Sequence, residues 1–541
     1  MAVKRQGRKA DDKRARLVAY ALLAIVLTAS LAYSIMSYGG PSNFGDDNAY
    51  AGIAYSIVKG QFSQSGYILS VRILQTYPIA FFYWLTNFSF YSNSAWDIIS
   101  YMASIVIVFY LGKELYNEYA GVLASFLLML FPMMAVLSVT MSDNPPMVML
   151  VSLAMLGLLY GTRHNSGKWY AVSGMAFVGS ALVIPLGLIG MAVGILYIIT
   201  ESLRGKTKRN ALMFVAGIVV AVAVLAAFNY VNSGNPAITY TTTSNFYSST
   251  VGPNTIVPAN TNFKYYFGVM FPYKITSILW ENLKHLQLNP ITIWNELYIV
   301  NYSWVGFYFY IGVIAVLYLL YKKERRAYFP MLWLATGFLL MEFDPLHVSL
   351  VPFSYMLQHR LDRYLTLIGP PLVLLISMAL FRFSEATKSN WKYVRRCIAI
   401  AIIAFMVATA IPEINLYNNM LHVQEYGNMQ IAKYLSGLPN GTRIYIDSGQ
   451  FVPVYMGFSN YSRFYIYDQL AECGMIKGNS YIVLPRYTQL FNLTYTPNPS
   501  EYCPSWRLVL QPNLTRNYSI AVTGPSMVFN TDLYYVPSNS S

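Results

Sequence analysis

FGDDNAYAGIAYSIVKGQ, residues 44–61, follows the first long apolar run of the chain and sets two adjacent aspartates where that run ends. After Asp46 and Asp47, the apolar residues Tyr50, Ile53, Ala54, Ile57 and Val58 recur at helical spacing, and Lys59 and Gly60 supply a cationic last turn and a glycine stop. The stretch reads as an amphipathic helix of about twelve residues with Asp46 or Asp47 as its N-cap, too short to span a bilayer and suited to its interface. One aspartate is enough for a cap. The second calls for another explanation, which has to come from the rest of the chain.

The chain has 541 residues, of which 55% are hydrophobic and only 11% charged, with a mean hydropathy of +0.40. Soluble domains carry about 25% charged residues, so charge this sparse over this length indicates a polytopic membrane protein. The net charge of +14 fits either nucleic-acid binding or the basic loops of a membrane protein, and the placement of Lys and Arg separates the two.

Seven basic residues precede Leu17, and an apolar run of spanning length then reaches Tyr38, which reads as an uncleaved signal-anchor. Further runs able to span fall at 96–112, 119–138, 146–161, 169–184, 186–200, 211–228, 304–321, 327–342, 364–381 and 395–411. These make about eleven spans, with a hairpin broken at Pro185. The loops TRHNSGK, ESLRGKTKRN, YKKERR and RFSEATKSNWKYVRR hold fifteen of the 37 basic residues, whereas the five longer loops on the other side hold seven. This is the positive-inside pattern, with a cytoplasmic N-terminus and an extracytoplasmic C-terminus. Basic residues dealt out loop by loop exclude a nucleic-acid-binding face. The expected organisation is a basic cytoplasmic tail over 1–16, a membrane domain over 17–411 with external loops 39–95 and 229–303, and an extracytoplasmic domain over 412–541.

That last domain is long enough for its own core. RIYIDS, FVPVYM, RFYIYD, SYIVLP and RLVLQP are β-branched and aromatic runs separated by turn residues, and read as strands of a mostly-β or α/β domain. Cys473 and Cys503 are the external cysteines and are expected to pair; Cys397, at the cytoplasmic end of the last span, is expected to be a free thiol. Glycosylation sequons at Asn87, Asn301, Asn440, Asn460, Asn492, Asn513, Asn517 and Asn539 all fall on the expected external side.

Two more polar groups share the setting of the aspartates. In MSDNPPMVML, Asp143 precedes two prolines that open the fourth span, where it would ordinarily be a helix cap. In LQHRLDRYLTLIGPP, Arg360 and Arg363 lie on one helical face, followed by Tyr364; Arg and Tyr also serve as plain interfacial anchors. Carboxylates and arginines gathered on one membrane face suit a general base beside an anion clamp.

This order of motifs resembles the GT-C superfamily: a basic N-terminus, one span, an aspartate pair opening a juxtamembrane helix, Tyr77-Pro78 some thirty residues on, an acid before the fourth span, and a late RY…PP segment. The branch it resembles is that of the protein O-mannosyltransferases and the lipid A aminoarabinose transferase. The resemblance covers residues 17–200 and 350–380, and the WWD signature of oligosaccharyltransferases is absent. It implies transfer of a mannose-like hexose from a polyprenyl- or dolichyl-phosphate donor to an external protein, glycan or lipid. On that resemblance Asp46 is the candidate base, with Asp47 beside it and Asp143 as the second acid. Arg360, Arg363 and Tyr364 would face the donor phosphate, and Arg72 and Tyr77 would contact substrate from the first external loop.

No P-loop or dinucleotide-binding glycine motif is present, which agrees with a lipid-linked donor. A single carboxylate base implies one displacement with inversion. Asp46, Asp47 and Asp143 could also ligate Mg2+ or Mn2+, while no two of the five histidines, His359 included, have zinc-ligand spacing. The competing functions are a multi-pass transporter, which would place ionisable groups at mid-membrane, and a non-catalytic surface scaffold acting through its C-terminal domain.

Overall fold

The structure, a computed structural model, describes residues 2–38, 46–62, 64, 67–203, 208–249, 307–343, 345–350, 353–357, 362–385, 391–447, 452–458, 461–467, 476–487, 503–512 and 529–538. Helix α1 (Ala2–Ser37) runs without a break from the basic N-terminal tail through the first apolar run. Helix α2 is Asp46–Val58, as the spacing of its apolar residues predicts. Its end is a glycine stop: Gly60 has φ +66°, its N–H reaches Ile57 O at 3.1 Å, and Gln61 N–H reaches Ser56 O at 2.9 Å. This paired pattern satisfies the last carbonyls of the helix.

Helices α3 (Ile73–Thr86), α4 (Ala95–Leu115), α5 (Glu118–Met129), α6 (Pro132–Leu137), α7 (Asn144–His164), α8 (Gly167–Val183), α9 (Gly187–Leu203), α10 (Lys208–Ser233) and α11 (Ile238–Ser249) follow. The expected third span, 119–138, is thus two helices, because Pro132 disfavours helical backbone at Phe131, which is extended with ψ 110°. The expected hairpin at Pro185 is present as the break between α8 and α9. Beyond it lie α12 (Tyr308–Tyr321), α13 (Tyr328–Phe343), an antiparallel hairpin of β1 (Pro345–Leu350) and β2 (Phe353–Leu357), a short 3-10 helix Asp362–Ile368, α14 (Gly369–Ser384) and α15 (Trp391–Ser436).

Six of these helices are long and apolar enough to cross a membrane, and the chain is a multi-pass membrane protein. Span 365–384 is 89% buried, packed among α5, α12 and α13, whereas the window in α10 is 11% buried and turns its apolar residues outward. Outward apolar surface at a spanning helix is what lipid requires. Small residues let helices approach: a Cβ on Gly121 would stand 2.4 Å from Phe109 O, so only glycine permits the α4–α5 packing.

Helix α15 crosses residue 412, the expected start of the external domain, with Pro412 inside it. Its last turns supply Ile431, Ala432 and Leu435 to the core of a small C-terminal sheet. That sheet consists of β3 (Arg443–Asp447), β4 (Phe464–Tyr467), β5 (Ser480–Tyr487), β6 (Arg507–Leu510) and β7 (Phe529–Val536), in the order β4-β3-β5-β7-β6. The β3 pairings are parallel and those of β7 antiparallel, so the unit is α/β. FVPVYM is not a strand but a single helical turn, α16 (Val452–Tyr455), with Pro453 in its first turn where no N–H is needed. Just after it, Phe458 is buried against the loop region of the membrane domain and stacks on Tyr55 of α2 at 4.6 Å.

Cys503 is buried and disulfide-bonded, and Cys397 is a free, exposed thiol. The expected partner of Cys503, Cys473, lies outside the described residues, as do the sequons at Asn301, Asn460, Asn492, Asn513, Asn517 and Asn539. Asn87 and Asn440 are described and exposed.

Candidate active site

Arg72 occupies the turn between the 3-10 helix Ile68–Val71 and α3. Its side chain is buried, and the carboxylates of two distant segments converge on it. Nη1 donates to Asp143 Oδ2 at 2.6 Å and to the Tyr50 hydroxyl at 2.5 Å. The Tyr50 hydroxyl in turn donates to Asp143 Oδ2 at 3.0 Å. Asp46 Oδ2 is 3.7 Å from the same nitrogen. Side-chain exposure grades outward: Asp143 2%, Arg72 10%, Asp46 32%.

Local sequence explains each placement. Asp46 and Asp47 form the first turn of α2 rather than its cap, a position where carboxylates are favoured by the helix dipole. Tyr50 is four residues on from Asp46 and so shares its face. Asp47 lies about 100° round the helix and is buried. Asp143 does hold the N-cap position of α7, but its side chain caps nothing. An N-cap accepts from the second and third helical N–H groups; here those positions are Pro145 and Pro146, which have none. The carboxylate is therefore released toward Arg72, and Asn144 Nδ2 holds its other oxygen at 3.1 Å.

The electrostatics follow from this packing. Burial works against the charge on Arg72, but Tyr50, Asp143 and Asp46 outweigh it and raise the guanidinium above its ordinary range. Burial pushes the Tyr50 phenol well above its usual value, so the hydroxyl stays neutral and can donate. Tyr67, half exposed at the rim, is raised by burial and then by Asp46. Arg72 Nε is buried and has no hydrogen-bond partner among the described residues. An unused N–H of this kind costs about 1–3 kcal/mol unless something fills it.

One turn along α3, Gln75 Nε2 donates to Asp97 Oδ1 at 3.4 Å, and both residues are buried. The 3-10 helix Asp362–Ile368, which carries Arg363 and Tyr364, is tied to the site by Thr366 Oγ1, at 3.5 Å from Asn144 Oδ1. The side chains of Arg363 and Tyr364, and all of His359 and Arg360, lie outside the described residues. Tyr77 does not join the cluster; its ring packs edge-on against Phe62 and Phe228 at 6.1 and 5.2 Å. Nor do the three aspartates gather into a cation cage. Arg72 stands between Asp143 and Asp46, and among the described residues no group of three His, Cys, Asp or Glu could hold a metal ion. Tyr50, Tyr67, Gln75 and Asp97 are site residues that sequence reading missed. Tyr50 counted there only as part of an apolar face.

The fold is that of a polytopic membrane protein with a small α/β unit at its C-terminal end, and it is shared with solved structures of GT-C proteins. The structure of ArnT from Cupriavidus metallidurans in the apo state superposes with a TM-score of 0.54 at 14% identity, over 95% of this chain and 98% of that one. The oligosaccharyltransferase from Archaeoglobus fulgidus in the apo form gives 0.51 at 12% identity, over 86% of this chain and 69% of that one. Against the same organism's AglB solved with an inhibitory peptide and a dolichol-phosphate, the score is 0.48 and this chain spans 63% of that one. Residues 70–230 match the model of the family described as dolichyl-phosphate-mannose-protein mannosyltransferase. The matched segment contains Arg72, Asp97 and Asp143 and begins after Asp46 and Asp47. Comparison with curated protein sequences finds no match.

Proposed function

We propose that the chain is a membrane glycosyltransferase that moves a sugar from a polyprenyl- or dolichyl-phosphate donor to an extracytoplasmic acceptor, with inversion. The observation that carries this reading is the graded triad: a deeply buried Asp143–Arg72 pair beside a partly exposed Asp46. In the reaction, Asp46 takes the proton of the acceptor hydroxyl as its oxygen attacks the anomeric carbon. The bond from that carbon to the phosphate oxygen breaks, and the lipid phosphate leaves with both electrons.

Arg72, held cationic by its neighbours, stabilises the charge growing on the departing phosphate. Asp143 and Tyr50 hold the guanidinium in place. On the family resemblance Arg360, Arg363 and Tyr364 would also face the donor phosphate, and the 3-10 helix that follows Arg360 is tied to Asn144 through Thr366. The fold it shares with ArnT, solved with undecaprenyl phosphate bound at a TM-score of 0.53, supports a lipid-phosphate donor. The family match over 70–230 supports a mannose-like hexose and a protein acceptor. The basic loops support a cytoplasmic N-terminus and a site that faces outside. Contact of Phe458 with α2 gives the C-terminal domain a route to orient the acceptor.

Membranes holding the protein, incubated with radiolabelled dolichyl-phosphate mannose, should pass label to protein, glycan or lipid. Label that stays wholly on the donor, for every dolichyl-phosphate sugar tried, refutes transfer. Adding EDTA to the same assay tests for a Mg2+ or Mn2+ requirement at Asp46 and Asp47.

A further inference from the structure

Helix α7, which brings Asp143 to the acidic site, helps enclose a cavity at its opposite end. Helix α7 starts beside Asp143 and carries Arg163 in its last turn, which at 1.5 Å per residue lies about 30 Å away, on the far membrane face. There, between the ends of α7 and α9 and the turn leading into α13, lies a cavity of about 340 Å3. This is within the usual range for small-ligand sites.

Arg163, Arg325 and Arg326 converge on it from two separate segments, with the Tyr197 side chain in its wall. Phe329 and Leu332 of α13 form an apolar side. Arg163 reaches Glu114 at 3.3 Å, whereas Arg325 and Arg326 have no ion pair among the described residues and are exposed. Arg326 and Arg163 oppose each other electrostatically. The acid in the lining is Glu201; counting Glu114 as well, three arginines face two acids. Like charges held together around a concave space are stabilised by a shared anion, and guanidinium forks match phosphate oxygens. Basic pockets between helix ends, polar at the mouth and apolar on one side, suit a lipid headgroup.

We propose that this cavity binds the phosphate of an anionic phospholipid from the leaflet opposite the candidate active site. The phosphate sits against Arg325 and Arg326, and an acyl chain lies along Phe329 and Leu332.

The test is native mass spectrometry of the detergent-purified full chain, titrated separately with phosphatidylglycerol and phosphatidylcholine. One phosphatidylglycerol should be retained in preference to phosphatidylcholine. In Arg325→Gln/Arg326→Gln its affinity should fall about tenfold or more, the equivalent of at least one lost charge-assisted contact. The Arg325→Lys/Arg326→Lys variant, which keeps charge but loses the forks, should fall in between. An unchanged melting temperature in both variants, whose changes are at exposed side chains, shows that binding and not folding has been altered. Equal retention of the two lipids, or an unaltered Gln variant, overturns the proposal. Displacement of the lipid by millimolar inorganic phosphate would assign the cavity to a soluble phosphate and overturn the lipid assignment. None of these readouts depends on sugar transfer.

Discussion

Arg72 Nη1 lies 2.6 Å from Asp143 Oδ2 across 71 residues of sequence, and both side chains are buried. Removing one partner of such a pair strands the other charge, at a cost of about 3–5 kcal/mol. Arg72→Leu and Asp143→Leu should each lower the melting temperature markedly, while the double variant should lose less than the sum of the two. A double-mutant cycle by thermal unfolding in detergent checks this; strict additivity would show that the two groups do not act as a pair.

Tyr50 bridges the pair, accepting from Arg72 and donating to Asp143. Tyr50→Phe keeps the ring in its pocket and deletes both bonds, leaving Arg72 less constrained. Hydrogen bonds to charged groups are worth about 1.5–3 kcal/mol, so transfer should fall about tenfold or more with the fold intact. Rates for purified Tyr50→Phe beside wild type, at matched protein level, decide the point.

Much of this site was hidden from sequence for a physical reason. The existence of α2 and its stop at Gly60 are local signals, carried by apolar spacing and a glycine, and they read correctly, whereas the two aspartates read as a cap and lie in the first turn. The ion pair joins segments 71 residues apart, and nothing in the local pattern distinguishes Arg72 from any other loop arginine. Tyr50 fits an apolar face whether or not its hydroxyl is used. Asp143 reads as a cap until the two prolines after it are seen to offer it no N–H. FVPVYM has strand composition, yet Pro453 and the left-handed backbone at Gly457, φ +57°, make it one turn of helix. Nor does proline end every helix: α15 continues through Pro412, at the residue where the external domain was expected to begin.

The C-terminal domain should carry one disulfide. Cys503 is bonded, and pairing with Cys473 would close a loop worth about 3 kcal/mol. Mass spectrometry of unreduced tryptic peptides should recover these two cysteines linked, and reduction should lower the melting temperature. Recovery of free Cys473 would contradict the pairing.

Membrane sidedness makes a separate prediction. On a single-cysteine background, a cysteine at Lys323 in the basic turn after α12 should resist impermeant thiol reagents in sealed cells. One at Asn440, exposed just before β3, should react. The reverse pattern would put the acidic site on the cytoplasmic face and remove the basis for an external acceptor.

The central claim is that Asp46 is the base. Asp46→Asn keeps shape and helix position and removes the proton acceptor. Its loose ion pair with Arg72 at 3.7 Å, about one-third exposed, should cost less than about 1 kcal/mol of stability. Transfer from a dolichyl-phosphate sugar, measured for purified wild type, Asp46→Asn and Asp47→Asn at equal protein level, separates the roles most directly. The account predicts a fall of about 10² or more for Asp46→Asn, with its melting temperature nearly unchanged and a smaller loss for Asp47→Asn. Wild-type turnover in Asp46→Asn would contradict it.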